Sequence, residues 1–423
     1  MSGIPDRVGA AGVELELDTP SRGRHGHGQR RVEAGILEQR VHRFHATMPR
    51  PDRKPVSGPG ALPFEKPIED VRSRLEELEE LAGQTTHDLS EELEFYRDRL
   101  ARLTKEIYGQ LTPWNRVQVA RHPHRPLTSD FVEHLCEDFV ELHGDGYFGD
   151  DRAIVTGLAT IHGEKVLLVG HRKGKSTKER LACHFGSAHP EGYRKALRKM
   201  RLAERMGLPI VCLVNTPGAY PGVGAEERGQ ARAIAENIFE MFEIRTPIVV
   251  VVIGEGGSGG ALGIAVGDHI AMMENSWYSV ISPEGCASIL WRSADGKEQA
   301  AEALKLTAQD MQGLGLVDEI LDEPTGGAHA DPEAAMDAVG RAVVARIHEL
   351  KKRPLDELLE ARYQKFRRIA QLEQALQTGA EAVAETAETA EKLAEDEAPG
   401  LIPEGQEGVP PRRTPGSPRG RRL

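Results

Sequence analysis

Apolar residues recur with a helical period between residue 62 and residue 112. Two sets follow one another there at spacings of three and four: Ile68, Val71, Leu75, Leu78 and Leu81, and then Leu93, Tyr96, Leu100, Leu103 and Ile107. This spacing places each set on one face of a helix. The pattern therefore predicts an N-terminal helical hairpin arm over residues 62–112, packed on its own chain or on a partner.

From residue 113 to residue 354 the apolar positions run together instead of recurring. Residues 165–170, 209–214 and 247–253 are short apolar runs, and residues 225–243 between the last two have a helical pattern. Continuous apolar runs are typical of strands that are buried on both faces. Strand, helix and strand at this spacing predict a βαβ unit, and hence an α/β domain with parallel strands.

Each of the last two predicted strands ends in a glycine-rich turn, at residues 216–222 and 254–260. A helix that begins in such a turn has backbone N–H groups without an intrahelical acceptor, and glycine lets a carbonyl group approach them closely. Donors of this kind stabilise an oxygen that gains negative charge during a reaction. We predict an oxyanion hole, with Gly259 and Gly260 as the first choice of donors and Gly218 and Ala219 as the second. The alternative is that these glycines serve only turn geometry.

Charge, rather than apolar periodicity, dominates both ends of the chain. Residues 1–60 are predicted to be a disordered extension, and residues 373–423 a charged tail that is also disordered. A basic stretch over residues 355–372 is predicted to form a C-terminal helix. Met48 lies close to the first predicted helix, and we expect it to be the natural start of the chain.

Composition excludes several classes of function. The 423 residues carry 54 Lys and Arg against 66 Asp and Glu, so the net charge of −12 disfavours a nucleic-acid-binding protein. The four cysteines form no C-x-x-C pair, which excludes a zinc ribbon and favours a reduced, cytoplasmic setting. One apolar stretch, residues 246–267, contains seven glycines and Glu255, and we interpret it as strand, turn and short helix rather than a membrane span.

Three short motifs match the sequence imperfectly. Residues 254–259 fit the dinucleotide pattern G-x-G-x-x-G, but the helix that follows is too short for that fold. Residues 256–260 fit G-x-S-x-G around Ser258, and Asp318 and His329 follow in the order of a hydrolase triad. A basic loop at residues 170–176 has one residue too few for a P-loop, but its cations could attract phosphate groups.

Longer stretches carry a family resemblance. Residues 215–230, 253–261 and 279–291, in this order, resemble the carboxyltransferase α subunits of bacterial acetyl-coenzyme A carboxylases, and the likeness extends over about residues 62–367. Asn215 and Lys175 depart from the family pattern, which usually has Asp and Arg there.

The resemblance implies a crotonase-like spiral of ββα units, in an enzyme that moves a carboxyl group from carboxybiotin to acetyl-CoA and gives malonyl-CoA for fatty acid biosynthesis. It implies that biotin is carried on a separate carrier protein, that Gly259 and Gly260 hold its ureido oxygen, and that this chain holds no metal. The implied partners are a carboxyltransferase β subunit, a biotin carboxyl carrier protein and biotin carboxylase, in an α2β2 heterotetramer without membrane or nucleic acid. The expected substrate-binding residues are Gly256, Gly257, Tyr220, Lys173 and Lys175. Two alternatives remain: a serine hydrolase that uses Ser258, and a non-catalytic scaffold subunit.

Overall fold

The computed structural model of the protein describes residues 61–84 and 87–369. The two segments predicted to be disordered, residues 1–60 and 373–423, lie outside the described residues, and so does Met48. The described strands are β1 (Cys136–Glu141), β2 (Ile154–Ile161), β3 (Glu164–His171), β4 (Ile210–Thr216), β5 (Ile248–Gly257), β6 (His269–Met273), β7 (Trp277–Ser279) and β8 (Glu319–Leu321).

The described helices surround this sheet. They are α1 (Lys66–Gln84), α2 (Ser90–Tyr108), α3 (Pro113–Ala120), α4 (Thr128–Leu135), α5 (Thr177–Ala182), α6 (Pro190–Met206), α7 (Val223–Glu227), α8 (Gln230–Glu243), α9 (Ser258–Leu262), α10 (Pro283–Trp291), α11 (Lys297–Ala303), α12 (Ala308–Gly313), α13 (Pro332–Leu350) and α14 (Leu355–Arg368). Single 3-10 turns cover Pro63–Glu65, His184–Gly186 and Ala294–Gly296.

Helices α1 and α2 pack against each other, as the apolar stripes predict. The residues that α1 buries are four of the five predicted ones, Ile68, Val71, Leu75 and Leu78. At the base of the pair, Ile68 and Tyr108 form a small apolar cluster with Val119 of α3. The helical arm is therefore fastened to the body of the chain at its base.

One sheet organises the body, in the order β1-β2-β3-β4-β5-β6-β8, with β7 added to the end of β5. Strands β1, β2 and β3 pair antiparallel, and β3, β4, β5, β6 and β8 pair parallel. Helix α6 follows the β2–β3 hairpin and packs on both strands, which makes a ββα unit. The α/β class with a largely parallel sheet is confirmed.

Both faces of the central strands are covered, which explains their uninterrupted apolar runs. On one face, alternate residues such as Val169, Cys212 and Val250 pack with residues of α6 and α8. On the other face, residues such as Leu168, Val211 and Val251 pack with α4 and α13. A strand with helices on both sides has no solvent face, so it cannot show the alternation of a half-buried strand.

The prediction of a single helix over residues 225–243 is wrong in one respect, because the structure has two helices there, α7 and α8. Gly229 separates the two helices, and its φ of 83° is left-handed. Glycine adopts this conformation without the steric cost that other residues meet. The break lets α7 follow the first glycine turn while α8 packs along α6.

The apolar stretch at residues 246–267 holds β5 and α9, as expected. None of the helices in residues 61–84 and 87–369 has the length and apolar character that a membrane crossing needs. Helix α14 is fastened to the body through Arg362, whose guanidinium donates to Asp268 and to the carbonyl groups of Met241, Ile244 and Thr246.

Candidate functional site

The two glycine turns meet at one edge of the sheet. Strands β4 and β5 are parallel neighbours with Thr216 paired to Gly256, so both turns leave the sheet at its carboxyl edge. A Cβ added at Gly260 would lie 2.4 Å from the backbone nitrogen of Ala219. A Cβ at Gly257 would lie 2.2 Å from the carbonyl oxygen of Pro217. Glycine is required at both positions because the turns are in backbone contact.

Free backbone donors line this contact. The N–H groups of Ala219, Gly259 and Gly260 donate to no acceptor within the described part of the chain. The N–H group of Gly218 is already used, because it donates to the hydroxyl of Thr216 at 3.1 Å. Of the four predicted donors, three therefore have a free N–H group, and the structure brings them to one place.

Gly259 differs from the other glycines of its turn. The nearest atoms to a Cβ added there belong to the Ile234 side chain, at 3.8 and 3.9 Å. That separation is ordinary van der Waals contact, so an alanine would fit the surrounding structure. Packing does not explain the glycine at this position, whereas it does explain Gly257 and Gly260.

The triad that a serine hydrolase needs is not assembled. Ser258 has a left-handed φ of 53°, but neither Asp318 nor His329 hydrogen-bonds to it. Asp318 accepts from the backbone of Ile270 and pairs with Lys365. His329 lies instead against residues of the helical arm. Within residues 61–84 and 87–369, Ser258 therefore has no hydrogen-bonded general base.

Two side chains lie within hydrogen-bond distance of the Gly260 carbonyl oxygen. His171 at the end of β3 places its Nε2 3.2 Å from this oxygen, and the Tyr193 hydroxyl of α6 lies 3.3 Å from it. Burial lowers the pKa of His171 to about 3, so its ring is neutral near pH 7. The basic-loop interpretation of His171 as a phosphate-attracting cation is therefore wrong.

Asn215, at the end of β4, joins the ends of three strands. Its backbone N–H donates to His171 Nδ1 at 3.4 Å, and its side-chain oxygen accepts the Glu255 N–H at 3.1 Å. The side chain thus needs only an acceptor oxygen here, which a carboxylate would also offer. The aspartate that the resemblance leads us to expect at this position would offer the same acceptor oxygen.

A buried group of charges supports the second turn. Glu255, with 8% of its side chain exposed, accepts from Arg121 Nε at 2.6 Å and pairs with the Lys173 ammonium. Arg121 also contacts Glu284 at 2.5 Å. Burial alone would raise the pKa of Glu255, but Lys173 and Arg121 outweigh it and hold this pKa below its usual range. The carboxylate stays ionised and fixes the end of β5.

The remaining predicted binding residues have different surroundings. Tyr220 follows the first turn and stacks on His189, with ring centroids 4.1 Å apart. Gly256 lies under the Tyr278 ring, which a Cβ would meet at 2.7 Å. Lys175 is exposed and contacts Asp130 at 2.8 Å. The roles of all these residues stay predictions.

One group of side chains has the composition of a cation site. Ligand atoms of Glu65, His122 and His329 lie within 4.8 Å of one another. However, the two imidazole rings are stacked, with centroids 3.8 Å apart and an interplanar angle of 25°. Stacked rings direct their nitrogen lone pairs side by side rather than toward one ion.

Glu65 is also hydrogen-bonded already, since it accepts from the Tyr108 hydroxyl and from the Leu62 N–H. Burial opposes its ionisation, but hydrogen bonds from His329, Tyr108 and Leu62 lower the pKa of Glu65 to about 2. We interpret the group as a polar junction between the arm and the body. That this chain holds no metal stays a prediction.

Sequence reasoning missed Tyr193 and Arg121 as parts of the site. Both lie in stretches that contributed only to the general likeness, and no motif links them to the glycine turns. Arg121 lies 134 residues before its partner Glu255, and Tyr193 lies 67 residues before Gly260. Contacts at such separations leave no local signal in one sequence.

Comparison with known proteins shows the family of the chain. Residues 61–370 match the family described as acetyl co-enzyme A carboxylase carboxyltransferase-like. Two relatives carry the name acetyl-coenzyme A carboxylase carboxyl transferase subunit alpha. The one from Thermus thermophilus is 55% identical over 306 residues, 72% of this chain and 97% of the relative. The one from Bacillus cytotoxicus is 51% identical over 311 residues, 74% of this chain and 96% of the relative.

A solved structure, the beta subunit of Pseudomonas aeruginosa geranyl-CoA carboxylase, is similar over 55% of this chain and 49% of its own. Its TM-score is 0.42 and its identity 20%.

Proposed function

The chain belongs to the acetyl co-enzyme A carboxylase carboxyltransferase family, and from this premise we propose how its two glycine turns take part in carboxyl transfer. It is the α subunit type of carboxyltransferase, an enzyme of malonyl-CoA and fatty acid biosynthesis. The observation that carries the proposal is the backbone contact between the turns, which leaves the N–H groups of Ala219, Gly259 and Gly260 free at one place.

In the proposed site, the N–H groups of Gly259 and Gly260 hold the ureido oxygen of biotin. Bound carboxybiotin supplies the carboxyl group that is transferred. The two N–H groups would stabilise negative charge on that oxygen, and because the backbone already holds them in the turn they would need no reorganisation. The N–H of Ala219, in the other turn, is proposed as a further donor. Gly218 is not, because its N–H donates to the Thr216 hydroxyl; its role is proposed to be the conformation of the turn.

The fit of this group rests on features of the described residues. Buried, paired charges fix the end of β5, and Asn215 ties β4 to it. Beside Gly259 there is space that an alanine side chain could occupy without a clash. A planar group that approaches the backbone needs such a space, and any side chain at this position would fill it.

The substrate contacts are proposed from position and charge. Lys175, exposed and held only by surface acids, is available to a CoA phosphate as a point charge. Lys173 is proposed to contact substrate at the turn; its ammonium pairs with Glu255. Tyr220, Gly256 and Gly257 complete the proposed binding surface.

The proposal extends to the surroundings of the chain. Biotin arrives on a separate carrier protein after its carboxylation by biotin carboxylase, and no metal in this chain takes part. A β subunit supplies the donors for the acetyl-CoA enolate, so the active site lies between two subunits. We propose an α2β2 assembly in the cytoplasm.

Co-production with a candidate β subunit tests this function. The purified pair is given carboxylated carrier protein and acetyl-CoA, and malonyl-CoA is quantified. We expect product from the pair and none from either chain alone. A pair that assembles but forms no malonyl-CoA would contradict the proposal. If this chain were a non-catalytic scaffold, the pair would keep full activity after substitution of Gly259 or Gly260 by alanine.

A further inference from the structure

The carbonyl group of Gly260 lacks the partner that a longer helix would give it. Helix α9 has only five residues, and the N–H groups that follow donate elsewhere: Gly263 to Gly259 at 3.0 Å and Ile264 to Ala261 at 3.2 Å. No backbone N–H in the described part of the chain donates to the Gly260 oxygen. The group is buried, and a buried carbonyl without a donor is rare in proteins.

Two buried side chains take the place of the missing N–H. The Nε2 of His171 and the hydroxyl of Tyr193 both lie within hydrogen-bond distance of this oxygen, at 3.2 and 3.3 Å. Both residues are fully buried. The His171 distance is at the long end of the usual N–H···O range and the Tyr193 distance is longer than a usual O–H···O bond, so each contact is weak and the oxygen has two long donors instead of one short one.

We propose that His171 and Tyr193 are positioning residues, which fix the direction of the Gly259 and Gly260 N–H groups by holding the Gly260 carbonyl. The inference rests on the proposed oxyanion role of those N–H groups. The Gly260 carbonyl shares its planar peptide group with the Ala261 N–H, so the two side chains restrain that plane directly. Because residues 259–261 belong to the same helical turn of α9, this restraint also limits how far the Gly259 and Gly260 N–H groups can tilt. Neither side chain touches the substrate, and both act through the backbone.

His171 can act in this way because its ring is fixed on the other side. The Asn215 N–H donates to Nδ1, so the proton of the neutral ring lies on Nε2 and faces the Gly260 oxygen. The His171 backbone is also held, since the Thr128 hydroxyl donates to its carbonyl at 2.5 Å. The imidazole therefore links the ends of β3 and β4 to α9.

Tyr193 is fixed by a second link that reaches the other end of α9. The side-chain amide of Asn237 donates to the Tyr193 carbonyl at 3.0 Å and to the Gly263 carbonyl at 2.9 Å. Helix α6 therefore contacts Gly260 through the Tyr193 hydroxyl, and Asn237 of α8 bridges α6 to Gly263. With both ends restrained, the first turn of α9 has little freedom to tilt.

Three variants of the full chain, paired with its β subunit, test this inference. Tyr193→Phe removes one oxygen, and His171→Leu removes both ring nitrogens, whereas His171→Gln keeps a donor and an acceptor. Because a misplacement of about 1 Å can cost about a hundredfold in rate, we expect kcat to fall by roughly tenfold to a hundredfold in Tyr193→Phe and His171→Leu. We expect KM for acetyl-CoA to stay within about twofold and His171→Gln to recover most of kcat.

Tyr108→Phe is the matched control, because it also removes a buried tyrosine hydroxyl but one that faces Glu65 rather than Gly260. Hydrogen–deuterium exchange of residues 254–266 in each full-length variant gives a readout that does not depend on activity. We expect faster exchange there in Tyr193→Phe and His171→Leu, and unchanged exchange and kcat in Tyr108→Phe.

Wild-type kcat and wild-type exchange in Tyr193→Phe would overturn the inference. Equal losses in Tyr108→Phe would overturn it as well, since they would show a general loss of stability. If the wild-type pair makes no malonyl-CoA, the proposed function fails. The exchange measurement still decides in that case whether the two side chains hold α9.

Discussion

Gly259→Ala separates a functional reason for this glycine from a structural one. The new methyl carbon would lie 3.8 Å from its nearest neighbour, so nothing has to move. Alanine is also favoured over glycine in a helix by about 1 kcal/mol, so the free energy of unfolding should stay equal or rise slightly. If substrate approaches the backbone here, the methyl group separates it from one donor, and losing one such donor costs about 10²–10³ in kcat.

Gly260→Ala is the contrasting variant. Its methyl carbon would lie 2.4 Å from the Ala219 nitrogen, and ordinary contact begins near 3.4 Å. One turn therefore has to move by about 1 Å, a displacement that can cost about a hundredfold in rate. We expect both stability and kcat to fall in this variant, whereas only kcat falls in Gly259→Ala.

Malonyl-CoA formation by the paired subunits and thermal unfolding of the same samples measure the two effects. Gly313→Ala is the control, because Gly313 also lies in a helix and a Cβ there meets nothing within 4 Å. Its activity should match that of the wild type. Full kcat in Gly259→Ala would refute the argument that a substrate, rather than packing, requires glycine at this position.

Four further predictions follow from other parts of the molecule. Ser258→Ala should keep carboxyl transfer largely intact, and an inactive variant that unfolds normally would favour a hydrolase. Arg362→Leu should lower the free energy of unfolding by about 3–5 kcal/mol, because it leaves Asp268 buried and unpaired; a urea titration that shows no loss contradicts this. The pKa of His171 lies near 3, below its unfolded value of 6.5, so the unfolded state alone gains a proton as pH falls between these values. As the pH is lowered from 6.5 to about 3, the free energy of unfolding should therefore decrease by up to about 1.4 kcal/mol per pH unit. His171→Gln should lack this contribution. A chain trimmed to the family match, residues 61–370, should pair with the β subunit and keep its kcat, and a large loss would give the ends a role.

The central strands were predictable because burial on both faces imposes a composition. Residues 166–170, 209–214 and 247–253 carry no polar side chain, since helices cover both sides of β3, β4 and β5. The helices of the arm were predictable for the opposite reason, because α1 buries one face and the apolar residues of α2 are partly buried on one face. In both cases the pattern is local, and one sequence is enough to read it.

The supports of the site were not predictable in the same way. His171 lies among basic residues, and its sequence neighbours suggest a cation on an exposed loop. Its surroundings come instead from Asn215 and Gly260, 44 and 89 residues away, and they bury it and keep it neutral. Lys173 shows the same limit, since only the fold reveals that its ammonium faces Glu255.

The turn at residues 254–260 matches two side-chain motifs, and neither describes what it does. A strand, a glycine turn and a helix are common to both motifs. The glycines therefore indicate only where the backbone bends or comes close to another group. The surroundings decide the chemistry: a dinucleotide site needs a long helix, and α9 ends at Leu262. A hydrolase needs a histidine at the serine, and none reaches it in the described part of the chain. Contacts with the other turn account for Gly257 and Gly260, so Gly259 is the position where glycine has no structural cause. Gly313 is also unexplained by packing, so the role proposed for Gly259 rests on the free N–H groups beside it as well.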